Sequence, residues 1–139
     1  MEYPASTRAT FIKWVDEYLL KNTSLSCTGT DLYGARCGVL HTFSAESDLS
    51  KQGKARHIIY AWGSAKAEDL AAAAKALGRS DCAVHIRDLI DAFRAGLANY
   101  LEEVTRDPNR EQKLKSKVGL WFTHIGQDPV KTFLKLRES

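Results

Sequence analysis

Residues 86–104 read IRDLIDAFRAGLANYLEEV and carry the clearest helical pattern of the chain. On a helical wheel at about 100° per residue, the apolar positions fall within an arc of ~120°, which is typical of a helix that packs one face against a core. Ser80 or Asp81 is the expected N-cap. We therefore predict one long helix around which the fold packs, with an inward stripe of Ile86, Leu89, Ile90, Phe93, Leu97, Tyr100, Leu101 and Val104.

Two shorter helices precede it. In residues 11–19 the apolar side chains recur at three- and four-residue spacing, and Ser6 or Thr7 can cap the start. Residues 64–77 are rich in alanine, and Gly78 is expected to end that helix. Both segments therefore add amphipathic helices to the same core.

Residues 56–62 read RHIIYAW and predict a short strand that Gly63 ends, because β-branched and aromatic residues dominate. No other segment has as clear a strand pattern. The partner is left open: an irregular segment, the same strand of a second subunit, or a helix start that resembles a strand. Tyr60 and Trp62 are expected in the core. If they are exposed, they indicate a sheet edge used for dimerisation or for base stacking.

Length and composition predict one globular domain over residues 1–139. The 15.5 kDa chain is 44% hydrophobic and 27% charged, which excludes wholesale disorder. No apolar run approaches the ~20 residues of a membrane span, and no secretory signal is recognised, so we expect no membrane association. Three widely spaced cysteines favour a reduced, cytoplasmic chain. No phosphate-loop, Rossmann or zinc pattern is present, so we expect no cofactor and no metal.

The C-terminal part is basic. Asp107-Pro108 and Asp128-Pro129 each predict a helix start, with an acidic cap before proline. From residue 106 onward there are eight basic and four acidic residues, a net charge of +4. Such an end can bind phosphate or an acidic partner, or simply form a solvated helix face. If this end binds nucleic acid, we predict that the contacts are made by Lys113, Lys115 and Lys117.

A further helix contains an unusual arginine. It is expected to begin after the turn at residues 28–31, with Thr30 or Asp31 as its N-cap, and to end near His41 or Phe43. On its wheel Arg36 falls inside the apolar arc, where a guanidinium needs a carboxylate, carbonyl oxygens or a bound anion. Two glycines on the opposite side, Gly34 and Gly38, permit close approach of another backbone. Because both sides of this helix are then covered, we predict a homodimer.

Arg36 and His41 together suggest a reaction. Two antiparallel copies of the helix across a dimer axis can place both residues of both subunits around one cleft. Histidine is the usual general acid or base near neutral pH, and arginine binds phosphate. The pair suits metal-free cleavage of RNA, in which His41 deprotonates a ribose 2′-hydroxyl and Arg36 stabilises the charge that develops on phosphorus.

Residues 36–41, RCGVLH, fit an Arg-x4-to-6-His pattern and resemble the motif of the HEPN superfamily of small helical domains. Many members are metal-independent endoribonucleases of toxin–antitoxin and other prokaryotic defence systems, and they act as dimers. The resemblance implies a HEPN-like protein, active or degenerate, that acts on RNA. Its catalytic pair would be Arg36 and His41, and an antitoxin or regulatory protein is a possible partner.

An alternative from another class is a non-enzymatic homo-oligomeric interaction protein. Arg36 would then form a buried structural ion pair, for example with Asp16, Glu17 or Asp88, and His41 would bind free carbonyls at the helix end. The two hypotheses differ in what surrounds Arg36.

All these segments together predict a mainly α fold, a compact bundle of five to six helices with one short β segment.

Overall fold

The computed structural model describes residues 7–38 and 47–121. This part of the chain is mainly helical, so the predicted fold class is confirmed. The elements in chain order are α1 (Arg8–Trp14), a π-helical turn (Val15–Leu19), α2 (Gly29–Cys37), α3 (Asp48–Lys51), β1 (Ile58–Ala61), α4 (Ala67–Ala76), β2 (Cys82–His85), α5 (Ile86–Thr105) and α6 (Pro108–Trp121).

The chain divides into two compact units, residues 1–100 and residues 101–139. The prediction of one domain over residues 1–139 therefore stays a prediction. In the described residues of the second unit, Asp107 Oδ1 accepts hydrogen bonds from the backbone N–H groups of Asn109 (2.9 Å) and Arg110 (3.3 Å), which confirms the predicted Asp-Pro helix start. The start at Asp128-Pro129 lies outside the described residues. No helix of residues 7–38 or 47–121 is both long and apolar enough to cross a membrane.

Local capping determines where the first two helices begin. Thr7 caps α1, which selects it over Ser6. At α2 the cap is Thr28, so the expected cap at Thr30 or Asp31 is wrong. Asp31 is instead the third residue of a capping box: its carboxylate accepts the backbone N–H of Thr28 (2.9 Å), and the Thr28 hydroxyl accepts that of Asp31 (3.2 Å).

The strand has a partner within the same chain. β1 pairs in parallel with β2, with Ile58 opposite Cys82 and Ala61 opposite His85. The expected N-cap of the long helix at Ser80 or Asp81 is therefore wrong, because residues 82–85 form β2 and α5 begins at Ile86. The pairing satisfies the backbone groups of β1, which an isolated strand would leave without partners. Gly63 and Gly78 have positive φ angles of 59° and 73°, so they end β1 and α4 as predicted.

Within the first unit, residues 86–100 of α5 pack through a face of small residues. Ala92 is buried, and a Cβ added at Gly96 would lie 2.7 Å from the carbonyl oxygen of Tyr18. The predicted inward stripe is therefore only partly correct, because close approach of backbones selects small residues rather than the most apolar ones. Its larger members remain 38–48% exposed, namely Ile86, Ile90, Phe93, Leu97 and Leu101.

Two buried clusters form the core of the first unit. Val15 and Leu19 of the π-helical turn meet Ala92 of α5, and Cys27 meets Cys82 and Val84 of β2. Partly buried leucines pack against both clusters and join them, namely Leu20, Leu25, Leu32 and Leu89. Four aromatic rings extend this core between α1 and α5, those of Trp14, Tyr18, Phe93 and Tyr100.

Candidate functional site

Arg36 lies in the last turn of α2 and is exposed. The prediction that Arg36 is buried in an ion pair is therefore wrong for the single chain, and its cover by a second subunit or an anion stays a prediction. Its guanidinium carbon lies 5.7 Å from the centre of the Phe11 ring on α1. This arrangement places apolar contact beneath the guanidinium while the charge stays in water. No carboxylate pairs with Arg36 within residues 7–38 and 47–121.

The contact is part of a larger surface that α1 and α2 build together. The rings of Phe11 and Tyr33 meet edge to face at 5.6 Å, and the guanidinium of Arg8 lies 6.0 Å from the centre of the Tyr33 ring. Each helix contributes two residues three positions apart, which places them on one helix face. We call Arg8, Tyr33, Phe11 and Arg36 the Arg–aromatic row. It carries a guanidinium at each end and two half-buried rings between them.

Tyr33 is a neutral hydrogen-bonding group in this row. A hydrogen bond to Cys37, together with the electrostatic interaction between the two groups and slight desolvation, raises the pKa of the Tyr33 phenol, and the charges of Arg36 and Arg8 oppose the rise. The phenol therefore keeps its proton at neutral pH, and the two guanidinium charges of the row are not offset by a phenolate.

The remaining sequence-predicted site residues are His41 and three lysines. His41 lies outside the described residues, so its pairing with Arg36 stays a prediction. The three nominated lysines lie on α6 in the second unit. Lys115 pairs with Glu111 at 2.7 Å, and Lys113 is exposed, whereas Lys117 is half-buried. Their contact with RNA likewise stays a prediction.

Helix α2 is held in place by a buried ion pair that sequence reasoning missed. Asp31 is 3% exposed and accepts hydrogen bonds from Arg56 through its backbone N (2.7 Å), Nε (3.2 Å) and Nη2 (2.7 Å). Arg56 Nη2 also donates to the carbonyl oxygen of Ser26 at 2.8 Å. A structural ion pair therefore exists on α2, with Arg56 in the role that was considered for Arg36. No local spacing signals it, because 25 residues separate the partners.

Gly29 and Gly34 permit the close packing of α2. The backbone N–H of Gly29 donates to Asp16 Oδ1 at 3.1 Å, and a Cβ there would lie 2.6 Å from that oxygen. A Cβ at Gly34 would lie 3.0 Å from the Cβ of Ala55. Gly34 is therefore closely packed, but its neighbours are the side chains of Ala55 and Ser47 in the same chain and not the predicted second backbone.

A second cluster of functional groups lies where β1 and β2 end. His85, the last residue of β2, uses both ring nitrogens: Nε2 donates to the carbonyl oxygen of Gly63 (3.2 Å), and Nδ1 accepts the backbone N–H of Arg87 (3.2 Å). These two hydrogen bonds tie the turn after β1 to the start of α5. Trp62, in that turn, is 76% exposed and Tyr60 is 43% exposed, so the prediction that both lie in the core is wrong.

The described cysteines and acidic residues do not form a metal site. Within residues 7–38 and 47–121, no three His, Cys, Asp or Glu side chains converge to hold a metal ion. Burial raises the pKa of Cys27, and it raises that of Cys82 to about 11. Both are therefore thiols at neutral pH, consistent with the prediction that they are small buried apolar residues.

No family model matches the chain, and no curated protein or solved structure matches it significantly. What the site can do is therefore inferred from the chemistry of its own residues.

Proposed function

We propose that this protein binds single-stranded RNA through the Arg–aromatic row. The observation that carries the proposal is the pair of exposed guanidinium groups, each held over an aromatic ring at 5.7 and 6.0 Å. Proteins that bind single strands combine cationic groups for the phosphates with flat surfaces on which bases stack. Arg8 and Arg36 supply both features, because the outer plane of a guanidinium can stack on a base while its edge binds phosphate.

The two arginine side chains of the row are also preorganised for such a ligand. A free arginine side chain loses considerable conformational freedom when it binds, whereas stacking on Phe11 or Tyr33 already restricts these two. No carboxylate within the described ranges pairs with either guanidinium, so a phosphate does not have to displace an internal anion. These two properties favour an anionic, aromatic polymer over an uncharged partner.

We further propose that the bound RNA is cleaved in the HEPN-like manner, without a metal ion, in a bacterial defence or toxin–antitoxin setting. The support is the motif formed by Arg36 and His41 together with the exposure of Arg36 at the end of α2. An exposed guanidinium can reach a scissile phosphate, whereas a buried ion-paired one cannot. In this reaction His41 takes the proton of the 2′-hydroxyl, and the 2′-oxygen bonds to phosphorus while the bond from phosphorus to the 5′-oxygen breaks. The products are a 2′,3′-cyclic phosphate and a 5′-hydroxyl that is protonated by water, and Arg36 stabilises the oxygens of phosphorus.

RNA binding is tested by fluorescence anisotropy with an end-labelled single-stranded RNA. Arg8→Ala and Arg36→Ala are each expected to raise Kd about tenfold, the equivalent of one lost stacking or phosphate contact. Lys13→Ala is the matched control, because Lys13 is an exposed cation on α1 outside the row and pairs only loosely with Glu17 at 3.8 Å. Equal Kd values for wild type and both arginine variants would contradict the proposal.

Cleavage is tested separately, with wild type, Arg36→Ala and His41→Ala incubated with RNA in the presence of EDTA. The proposal expects cleavage by wild type and at least hundredfold slower cleavage by each variant. If wild type does not cleave but binds RNA through the row, the cleavage proposal fails while the binding proposal stands.

A second candidate function is that of a homo-oligomeric interaction protein, and the exposed face of α5 favours it. Ile86, Ile90, Phe93 and Leu97 follow one another at spacings of four, three and four residues, which is the seam spacing of paired helices. An identical helix presents the matching seam. Light scattering at micromolar concentration is expected to give a dimer, and Ile90→Lys a monomer. A 15.5 kDa particle for wild type would refute self-association.

A further inference from the structure

The carboxyl ends of β1 and β2 border an open cavity of about 420 Å³, which we call the end cavity. Three segments meet there: the turn after β1, the last residue of β2 and the first turns of α5. Parallel strands bring such segments to one edge of a sheet, where ligands of α/β proteins commonly bind. Its lining consists of Trp62, Gly63, His85, Ile86, Arg87, Ile90, Asp91 and Arg94.

One wall of the end cavity is a large exposed aromatic surface. The Trp62 side chain is 76% exposed, although indole is costly to leave in water. Ile86 and Ile90, 39% and 44% exposed, line the same cavity. A flat apolar ligand, such as a nucleobase, would cover the indole face and remove this surface from water.

The other wall carries two arginines, with Asp91 between them on α5. Arg87 and Arg94 lie seven residues apart on α5, nearly two helical turns, so both are on one side of that helix. Arg94 is 76% exposed and lies 3.8 Å from Asp91, a separation that leaves its guanidinium able to bind a second anion. The amino-terminal end of the 20-residue helix α5 adds a partial positive charge at the same place.

The cavity also contains a hydrogen-bond acceptor and a rigid anchor. The Asp91 carboxylate is 62% exposed and can accept hydrogen bonds from sugar hydroxyls. His85 is not available to a ligand in the same way, because both ring nitrogens are used within the chain. It is a positioning residue that holds Gly63, next to Trp62, against the start of α5.

We propose that the end cavity binds a nucleoside phosphate. The base stacks on Trp62, the ribose hydroxyls donate to Asp91, and the phosphate binds Arg87 and Arg94. This ligand class carries all three features, an aromatic plane, vicinal hydroxyls and an anion, and the cavity volume lies within the range of small-molecule sites. The end cavity shares no residue with the Arg–aromatic row, so the proposal does not rest on RNA binding.

The test uses AMP, with adenosine and inorganic phosphate as probes of its two halves. In isothermal titration at concentrations up to about 1 mM, AMP is expected to bind with at least tenfold lower Kd than either half. Trp62→Ala and the double change of Arg87 and Arg94 to alanine are each expected to raise Kd at least tenfold. Trp62→Phe retains a stacking surface and is expected to stay within about threefold of wild type. Lys75→Ala, an exposed cation at the far end of α4, is the charge control.

Amide spectra locate the site independently. AMP is expected to shift the resonances of Gly63, Arg87 and the Trp62 indole and to leave those of Tyr33 and Arg36 unchanged. The proposal is overturned if AMP does not bind, if Trp62→Ala binds it like wild type, or if the shifts map elsewhere. Loss of AMP binding in Trp62→Ala with RNA binding retained separates this site from the Arg–aromatic row. Because Trp62 is exposed, its substitution is expected to leave the melting temperature unchanged.

Discussion

Asp31 offers the sharpest test of how the first unit is held together. Its carboxylate is almost fully buried, yet four donors surround it: three nitrogens of Arg56 and the backbone N–H of Thr28, at 2.7–3.2 Å. Two of these donors belong to a charged guanidinium, and the backbone donor of Arg56 connects α2 to the segment that leads into β1. Replacing Asp31 therefore disturbs both the helix start and the approach to the sheet.

The magnitude follows from the number and type of hydrogen bonds. A hydrogen bond to a charged group contributes about 1.5–3 kcal/mol, so a sum over the donors would be an overestimate. The Arg56 side chain is 39% exposed, and water compensates part of its loss. Asp31→Asn keeps the size of the side chain and one acceptor oxygen. We expect it to lower the free energy of unfolding by about 2 kcal/mol, less than the loss of a fully buried ion pair, because the Arg56 side chain is partly exposed.

The same carboxylate predicts a pH dependence. Burial alone raises the pKa of Asp31, but the hydrogen bonds from Arg56 and Thr28 outweigh burial and lower that pKa below its usual value. An unfolded aspartate titrates near ~3.9, so the unfolded chain binds this proton first as pH falls. The stabilisation by Asp31 is complete above that pH and is lost as pH falls through the lower folded pKa. Asp31→Asn should flatten this acid limb.

Urea unfolding at pH 7 of wild type, Asp31→Asn, Arg56→Gln and the double variant measures these effects. A coupling energy of at least about 1 kcal/mol is expected between the two positions. Glu17→Gln is the control, because its 3.8 Å pair with Lys13 is exposed and is expected to contribute less than about 0.5 kcal/mol. Additive changes, or an Asp31→Asn variant as stable as wild type, would refute the structural role.

Three further predictions concern the same unit. Gly96→Ala is expected to lower the urea midpoint, because the new Cβ would lie 2.7 Å from the Tyr18 carbonyl oxygen. A raised midpoint would contradict this steric clash and would mean that the higher helix propensity of alanine, about 1 kcal/mol, is the larger effect. In alkylation at pH 8 followed by mass spectrometry, Cys82, whose pKa is about 11, should react only after unfolding in urea, and rapid labelling in the native protein would contradict its burial. His85→Ala should shift the amide resonances of Gly63 and Arg87, since the ring bonds to both residues, and unchanged resonances would contradict that link.

The sequence pattern of α5 predicted the helix but not the face through which it packs. The wheel correctly indicated a long amphipathic helix, because a 3.6-residue period is a property of the segment itself. It misplaced the centre of the contact, because the wheel ranks apolar character, whereas the neighbouring backbone selects small side chains at Ala92 and Gly96. The exposed face of Ile90 and Phe93 is visible only once that contact is known.

In the candidate site, too, the sequence identified residues whose surroundings it did not predict. The sequence selected Arg36 correctly as an unusual position but assigned it a buried setting, because a wheel contains one helix and the Phe11 ring comes from another. Trp62 was expected in the core for its apolar character, whereas the turn at Gly63 leaves the indole exposed. For both residues the sequence identified the side chain but not the tertiary surroundings that decide its exposure.

The sequence by itself determined the mainly helical class, the helix start at Asp107-Pro108 and the breaks at Gly63 and Gly78. Each depends on interactions within a few residues, so a single segment contains all the information. The tertiary structure alone decided the β1–β2 pairing, the Asp31–Arg56 ion pair and the Arg–aromatic row. These join residues far apart in the chain, and a four-residue strand has no stability without its partner. These contacts form only when the two segments pack together, so the pattern of neither segment alone predicts them.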